Sequence, residues 1–183
     1  EACEVASNGS DFTAITNFGT ATEDKDYYAV FAEATTTGGG GGSTTGSKTL
    51  VSNSGSTYYE SGDITGVSGT NSASWTADGF TMVQNKNSSS NAVALNYAEI
   101  RVYASHSIVF TPTSGSTITS IVATATTDAY ANALGGSSIA NCTKNVSSST
   151  VTITPTDGTE AVTLTNTAQS RLKTIVVNYT TSG

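Results

Sequence analysis

The only imidazole in this sequence, and so the clearest candidate for a general base at neutral pH, is His106, which stands between Ser105 and Ser107. A hydrolase needs a nucleophile, a base and a group that orients the base, all in one place. The sequence contains no G-x-S-x-G, the pattern that presents a nucleophilic serine on a sharp turn. Because His106 falls in a short break between two strand-like runs, we expect a surface loop histidine without a catalytic role.

Acidic side chains are the second group that could do chemistry, since paired carboxylates hydrolyse glycosidic bonds. Glu99 stands in a strand-like run beside Arg101, where a cross-strand ion pair is expected. Four aspartates stand in turn-like sequences, where the side chain stabilises the turn: Asp63, Asp78, Asp128 and Asp157. The sequence therefore predicts no catalytic residues, and we expect that the protein is not an enzyme.

Ligands for a metal ion or a cofactor are scarce in this chain. One histidine and two distant cysteines do not have the spacing of a zinc site, and the glycine-rich run lacks the Lys-Ser/Thr of a phosphate loop. We predict no cofactor and no metal-binding residues; a structural calcium ion held by loop carbonyls stays open but cannot be placed. Cys3 and Cys142 either form a disulfide, if the chain is extracellular, or are two unrelated thiols.

Aromatic side chains provide the remaining candidates, because sugar-binding proteins stack flat aromatic rings on the C–H faces of pyranose rings. The candidate ligand-binding residues are Tyr58, Tyr59, Trp75 and Tyr103. Tyr58 and Tyr59 are adjacent, so in a strand one of them must face outward. Trp75, the single tryptophan, could instead fill a hydrophobic core.

Composition excludes two classes of partner. The chain has 7 Lys and Arg against 14 Asp and Glu, a net charge of −7, and its few basic residues are widely spaced. A phosphate-binding surface requires a basic patch, so we expect no nucleic acid. No apolar run approaches the roughly 20 residues that span a bilayer, so we expect no membrane insertion.

An extracellular or cell-surface location is expected from the remaining composition. Ser and Thr make up about a third of the chain, and charged residues make up only 11%. No basic segment followed by an apolar segment opens the chain, so we expect that any signal peptide has been removed. Sequons that permit glycosylation stand at Asn8, Asn87, Asn141, Asn145 and Asn178.

Hydrophobic periodicity predicts an all-β fold, an antiparallel β-sandwich of jelly-roll-like type. Short runs rich in β-branched and aromatic residues recur between Gly, Asn, Ser and Asp clusters. The predicted strands are residues 26–33, 74–77, 79–84, 98–104, 106–112, 117–126, 149–155, 160–165 and 171–180. Asp-Gly at residues 78–79 predicts a hairpin over residues 74–84, and the same dipeptide at residues 157–158 predicts a second one. Residues 127–138 are either a short helix or a loop.

Five consecutive glycines at residues 38–42 suggest a seam between two parts of the chain. Glycine loses the most conformational entropy on ordering, and a glycine run offers no side chains to pack. We therefore predict a short β segment over residues 1–37, a Gly/Ser/Thr linker over 38–47 and a β-sandwich domain over 48–183. The first segment is too small to fold easily alone, so it either docks elsewhere or is a repeat remnant.

Two parts of the sequence resemble known bacterial surface modules. Residues 12–33, "FTAITNFGTATEDKDYYAVFAE", resemble the end of a Listeria–Bacteroides repeat of internalin type, although the front half with its "GW" signature is absent. Residues 97–126 and 171–180 are similar to a jelly-roll-like β-sandwich module of Bacteroidota surface and secreted proteins. The matching patterns are "IRVY", "IVF", "ITSI" and "RLKTIVVNY".

These resemblances imply a non-catalytic extracellular module of a larger bacterial surface or secreted protein. Its expected function is adhesion or carbohydrate binding, with a polysaccharide or a surface glycan as partner. The alternative is a structural subunit of an extracellular fibre or appendage, in which neighbouring copies join by β-strand addition.

Overall fold

The chain divides into two compact units, residues 1–40 and 41–183, and the division falls within the glycine run. The computed structural model describes residues 3–5, 12–14, 42–53, 56–59, 63–65, 71–93 and 99–183. In the first unit, strands β1 (Cys3–Val5) and β2 (Phe12–Ala14) pair antiparallel. The predicted strand at residues 26–33 lies outside the described residues. In the second unit the first strand begins at Thr44, so the last four residues of the predicted linker belong to a strand.

Two antiparallel sheets form the second unit, which confirms the predicted all-β sandwich. The larger sheet has the order β12-β13-β10-β15-β3-β4, with β8 also paired to β15, and the smaller sheet has the order β11-β14-β9-β7-β6-β5. The strands are β3 (Thr44–Asn53), β4 (Ser56–Tyr59), β5 (Asp63–Thr65), β6 (Ser72–Ala77), β7 (Phe80–Asn85), β8 (Ile100–Val102), β9 (Ser107–Pro112), β10 (Ser116–Ala125), β11 (Ser138–Ala140), β12 (Cys142–Ser147), β13 (Thr150–Pro155), β14 (Val162–Thr165) and β15 (Ser170–Thr181).

The centre of the larger sheet joins the two ends of this unit. Its first strand, β3, lies antiparallel to its last strand, β15, in a register that pairs Thr44 with Thr181. Just beyond these residues the backbones still meet, because a Cβ on Gly183 would lie 3.2 Å from the carbonyl oxygen of Gly42. The sequence does not show this pairing, since it depends on the two most distant strands of the unit.

The core lies between the two sheets and follows the alternation of apolar residues along each strand. Trp75 and Phe80 are fully buried, and their rings meet edge to face with centroids 4.9 Å apart. Ile108 and Phe110 of β9 share the inner face, as their spacing predicts. Burying one such side chain fully stabilises the fold by about 1.5–3 kcal/mol, so these positions determine which face of each strand is inward.

A short helix lies in the connection from the larger sheet to the smaller sheet. Helix α1 (Asp128–Gly135) follows β10 and packs against β10, β12, β13 and β15, with Ala131 and Leu134 buried. Thr127 is its N-cap, and the Thr127 side chain accepts a hydrogen bond from the backbone N–H of Tyr130. Of the two structures that the sequence left open for this segment, the helix is therefore the one that forms.

The two Asp-Gly dipeptides behave differently. Residues 78–79 turn β6 into β7 in a hairpin whose register ends at Ala77 and Phe80, as predicted. The expectation that residues 157–158 repeat this hairpin is wrong, because β13 belongs to the larger sheet and β14 to the smaller. There the Asp157 carboxylate accepts hydrogen bonds from the N–H and hydroxyl of Thr159, and the turn carries the chain between the sheets.

Tyr179 on β15 lies between two glycines, one from each sheet. A Cβ on Gly46 of β3 would lie 2.5 Å from its ring, and a Cβ on Gly79 of the β6–β7 turn 2.0 Å. Phe80 contacts the same ring edge to face, with centroids 5.8 Å apart. These glycines are therefore needed for close packing of an aromatic ring, not for an unusual backbone angle.

A buried hydrogen-bond network around Asn166 connects the loops at one end of the sandwich. The Asn166 amide nitrogen donates to the Val102 carbonyl at 3.0 Å and to the Ser170 hydroxyl at 3.2 Å. Its amide oxygen accepts from the Ser137 hydroxyl at 2.6 Å. Asn166 itself is only 2% exposed, so each of these bonds forms where water cannot replace it easily.

Candidate functional site

The outward face of the larger sheet is covered by small polar and β-branched side chains, and we call it the hydroxyl face. On β10, β13 and β15 the buried residues alternate with the residues of this face, and strand register places residues of β3 and β12 on the same side; the residues of the face are half-buried or exposed. They are Thr45, Ser47, Thr49 and Val51 on β3, Thr174, Val176, Asn178 and Thr180 on β15, Thr117, Ser120, Val122 and Thr124 on β10, Thr150, Thr152 and Thr154 on β13, and Thr143, Asn145 and Ser147 on β12. None of these side chains is charged.

Strand register arranges the hydroxyl face in rows. Thr150, Thr124 and Thr174 are directly paired across three strands, and Val122 and Val176 are paired in the next row. Neighbouring strands lie about 4.8 Å apart, so hydroxyl and methyl groups recur at that spacing across the face. Such an array offers hydrogen bonds and apolar contact to a neutral, extended ligand.

A groove continues the hydroxyl face at one end. It has a volume of about 440 Å³, and its lining includes Thr117 and Thr180, which pair across β10 and β15. The turn between β9 and β10 forms one wall, with Gly115 in the left-handed region at φ 77°. Ser182 fixes this wall, because its N–H and its hydroxyl both donate to the Gly115 carbonyl.

The aromatic candidates are separated by the fold. Register pairs Tyr58 with Val51, which belongs to the hydroxyl face, and Tyr59 with Leu50, which is fully buried. Residues paired in this way share a face of the sheet, so the Tyr58 position belongs to the hydroxyl face and the Tyr59 position to the inner face. The side chains of both tyrosines lie outside the described residues.

Trp75 and Tyr103 are not on the hydroxyl face. Trp75 is fully buried in the core, so it cannot stack on a sugar, and we remove it from the candidate ligand-binding residues. Tyr103 is half-buried, and its ring packs edge to face on His106 with centroids 5.3 Å apart. It is therefore a packing residue in the loop before β9, whereas the groove residue Pro112 lies at the far end of that strand.

His106 is fully buried, which corrects the expectation of a surface loop histidine. Its Nε2 lies 3.0 Å from the Asn91 carbonyl oxygen, which can only accept, so Nε2 carries the proton. Its Nδ1 then accepts from the Gln84 amide nitrogen, also at 3.0 Å. Burial lowers the pKa of His106 below its ordinary value of 6.5, and the positive charge of Lys86 lowers it further, while the hydrogen bond to Asn91 opposes them.

Gln84 holds His106 in this neutral form. The Gln84 amide nitrogen also donates to the Arg101 carbonyl at 2.7 Å, which fixes the orientation of the amide. The imidazole therefore has both nitrogens engaged, and neither Ser105 nor Ser107 bonds to it; the Ser107 hydroxyl instead accepts from Asn87. This arrangement positions loops and leaves His106 no free nitrogen for proton transfer.

Glu99 forms two ion pairs, one with its neighbour Arg101 in the same segment and one across strands with Arg171, a partner that the sequence did not identify. The Glu99 carboxylate lies 3.6 Å from Arg101 and 3.1 Å from Arg171. Arg101 and Arg171 are direct register partners on β8 and β15. The Arg171 guanidinium also lies 5.3 Å from the centre of the Tyr130 ring. We call Glu99, Arg101, Arg171 and Tyr130 the arginine cluster.

Cys142 is a buried cysteine at the start of edge strand β12. Burial raises the pKa of this thiol, and the positive charge of Lys144 partly offsets that effect. Burial also lowers the pKa of Lys144, whose ammonium group donates to the Ser137 carbonyl. The Cys3 side chain lies outside the described residues, so a Cys3–Cys142 disulfide stays a prediction.

Three of the sequon asparagines use their amide nitrogen internally. Asn87 donates to the Ser105 carbonyl at 2.8 Å, Asn141 to the Asp157 carbonyl at 2.8 Å, and Asn178 to the Ser120 hydroxyl at 2.9 Å. Asn145 is exposed on the hydroxyl face, which makes it the more accessible acceptor. Asn8 lies outside the described residues.

Two properties of the described residues bear on the expected partners. No group of three or more His, Cys, Asp or Glu that could hold a metal ion occurs in them. None of their helices is long and apolar enough to cross a membrane.

Asp63 and Asp128 differ from the expected turn positions, because they begin β5 and α1.

The hydroxyl face itself was not predicted, although a signal for it is present. Alternation such as Thr150-Val151-Thr152-Ile153-Thr154 places every threonine on one side of a strand, but one strand does not show whether neighbouring strands do the same.

No known family model, curated protein or solved structure matches the chain.

Proposed function

We propose that the chain is a non-catalytic extracellular module of a larger bacterial surface or secreted protein, and that it binds a polysaccharide or surface glycan. The observation that carries this proposal is the hydroxyl face, an uncharged array of Thr, Ser, Asn and Val several strands wide. The groove at its end would hold part of the same glycan. The resemblance of residues 97–126 and 171–180 to a Bacteroidota surface module supports the same location and role.

The chemistry of the face fits a sugar polymer. Glycan hydroxyls donate and accept hydrogen bonds, as threonine and serine hydroxyls do, while the methyl groups of threonine and valine suit the C–H faces of sugar rings. A hydrogen bond between neutral groups contributes about 0.5–1.5 kcal/mol net, so binding would depend on many weak contacts over an extended surface. The Tyr58 position, at the margin of the face, would add a stacking contact.

Hydroxyl removal without a change of shape tests the proposal. Thr152→Val combined with Thr174→Val takes two hydroxyls from the face and preserves β-branching. The matched control, Thr81→Val with Thr111→Val, makes the same change at paired positions of β7 and β9 in the smaller sheet. Binding to a panel of soluble polysaccharides, measured by affinity electrophoresis and calorimetry, is expected to weaken severalfold in the first variant and to stay unchanged in the control.

Two results would count against the proposal, and a third would count against one assignment within it. Equal binding by both double variants would show that the hydroxyl face is not the contact surface. Binding to no polysaccharide of a broad panel would reject the function itself. A weaker effect of Tyr58→Ala than of Tyr59→Ala would contradict the assignment of Tyr58 to the binding face.

The second candidate function is a structural subunit of an extracellular fibre, assembled by strand addition. It is favoured by β11, an edge strand whose three residues are all exposed and which carries Ile139 at 40% exposure. Exposed apolar edge strands are templates for another strand. Light scattering of the full chain should then show assemblies that Ile139→Lys reduces; a monomer in both cases would eliminate this candidate.

A further inference from the structure

The groove at the end of the hydroxyl face is lined almost entirely by hydroxyl-bearing side chains. Eight of its ten described lining residues are Ser or Thr, and the other two are Pro112 and Gly115, so none of them is charged. Its volume of about 440 Å³ lies within the range of pockets that enclose small organic ligands. The groove therefore has room for a short segment of a glycan.

Hydrogen bonds within the chain hold one wall of the groove, the turn between β9 and β10, in a fixed shape. Ser182 donates to the Gly115 carbonyl from its N–H at 2.8 Å and from its hydroxyl at 2.9 Å. The Thr113 hydroxyl donates to the Asp78 carbonyl at 3.0 Å and accepts from the Ser116 hydroxyl at 2.9 Å. Because this wall is ordered before a ligand arrives, binding does not lose the entropy of ordering it.

Thr159, another lining residue, is positioned by close packing of the backbone beside it. The Ile118 N–H donates to the Gly158 carbonyl at 2.8 Å, and a Cβ on Gly158 would lie 2.3 Å from the Ile118 carbonyl oxygen. The Asp157 carboxylate accepts from the Thr159 hydroxyl at 2.7 Å. The same Cβ would lie 2.7 Å from the Thr117 methyl group, so this turn lies directly against the β10 side of the groove.

Four hydroxyls of the lining are not used to fix these walls. Within the part of the chain that the structure describes, the following side chains make no hydrogen bond: Ser43, Ser114, Thr117 and Thr180. A hydroxyl can donate one hydrogen bond and accept others, as the hydroxyls of a sugar ring also do. An apolar ligand would displace water from these groups without replacing its hydrogen bonds, so the groove favours a ligand rich in hydroxyls.

The charges beside the groove favour a neutral ligand over an acidic one. Hydrogen bonds from the hydroxyl and the N–H of Thr159 lower the pKa of Asp157, so this carboxylate is ionised at neutral pH. Glu160, the next residue after Thr159, is exposed. An anionic sugar in the groove would meet this negative charge without a positive partner among the described lining residues, and is therefore disfavoured.

We propose that the groove is the anchoring site of the glycan, and that it binds a short segment of a neutral polysaccharide. This inference rests on the proposed function and specifies the class of its ligand. The rest of the polymer would continue along the hydroxyl face, which is also uncharged. A short neutral oligosaccharide should consequently bind to the groove on its own.

The test uses the full chain and trisaccharides, which occupy the groove without covering the hydroxyl face. Neutral trisaccharides derived from cellulose, mannan, xylan and chitin are compared with trigalacturonate by calorimetry. At least one neutral trisaccharide should bind, and trigalacturonate should bind severalfold more weakly than it does.

Removal of hydroxyls from the groove should weaken this binding. Thr117→Val combined with Thr180→Val takes two hydroxyls from paired positions and preserves β-branching. A hydrogen bond between neutral groups contributes a factor of about 2–10 in affinity, so trisaccharide binding should weaken by at least about fourfold. Ser114→Ala, at an exposed turn position, should weaken it severalfold without disturbing a strand.

Two other double variants show whether the effect belongs to the groove. Thr163→Val with Thr165→Val changes half-buried threonines of β14 in the smaller sheet and should leave trisaccharide binding unchanged. Thr152→Val with Thr174→Val should weaken binding of the polymer far more than binding of the trisaccharide. Thr174 is six residues from the groove residue Thr180 on β15, about 20 Å along the strand.

The possible outcomes separate the two proposals. Binding of polymers but of no trisaccharide, or trisaccharide binding that the groove variants do not weaken, would overturn the anchoring site and leave the proposed function intact. Tighter binding of trigalacturonate than of every neutral trisaccharide would overturn the neutral class of ligand. Failure of the chain to bind any polymer or oligosaccharide would overturn both proposals.

Discussion

Replacing Asn166 by alanine should destabilise the β-sandwich more than any change on its surface. The substitution removes the side chain and leaves the backbone bonds of residue 166, to His106 and Ser105, in place. Three buried partners then lose a hydrogen bond: the Val102 carbonyl and the hydroxyls of Ser137 and Ser170. All three residues are at most 5% exposed.

The expected decrease in the free energy of unfolding follows from the three hydrogen-bonding groups left without a partner. A buried polar group left without a partner costs about 1–3 kcal/mol, so even the lower end of that range gives about 3 kcal/mol for Asn166→Ala. For a domain of this size that loss lowers the melting temperature by about 6–12 °C. The free energy of unfolding from urea titration, followed by circular dichroism at constant m-value, measures it directly.

Asn178→Ala is the matched control, because it removes the same side chain from the half-buried hydroxyl face, where a single bond to Ser120 is lost. We expect Asn178→Ala to lower the free energy of unfolding by about 1 kcal/mol or less. Asn166→Asp keeps the shape and removes the donated bonds, so it should resemble Asn166→Ala. If Asn166→Ala is no more destabilising than Asn178→Ala, the network does not contribute as its geometry indicates.

Two further predictions concern single sites in the same unit. Burial keeps the pKa of His106 below 6.5, so the unfolded chain binds a proton that the folded one does not; stability should be full above pH 6.5 and fall as the pH decreases below it. Urea titrations from pH 7.5 to about 5, where carboxylates are still ionised, should show this fall, and His106→Gln should remove it; an unchanged slope in the variant would refute the assignment. Gly79→Ala should cost about 1–3 kcal/mol, since its Cβ would lie 2.0 Å from the Tyr179 ring, whereas Gly42→Ala, with no atom within 4 Å, should be neutral. Equal melting temperatures for the two glycine variants would contradict the packing of Tyr179.

The strands that the sequence predicted correctly are those in which apolar and polar residues alternate, such as β9 and β15. Strand β3 was assigned partly to a linker because Leu50 is the only residue of Thr44–Asn53 in the described core. Edge strand β12 has Cys142 as its only buried residue, so it carries little apolar signal. Alternation of apolar and polar residues in the sequence indicates burial, so strands with few buried side chains are hard to recognise.

The candidate site was less accessible to sequence reasoning than the fold. The burial of His106 depends on Gln84 and Asn91, which are distant in sequence, so the short loop around the histidine gave no sign of it. A cross-strand ion pair was expected for Glu99, but its partner Arg171 is 72 residues away, so the sequence did not identify it. The hydroxyl face likewise exists only once five strands are placed side by side.

The meeting of Gly42 and Gly183 affects how this unit could be joined to other domains. Because the backbones at its two ends approach each other, the sandwich could be inserted into a surface loop of a host domain with little disturbance of either partner. For the same reason a short bridge could connect the two ends, and new termini could be opened at an exposed turn such as the one at Ser114. The glycine run would then be one of two adjacent linkers to the host domain, rather than a single linker at one end of the sandwich.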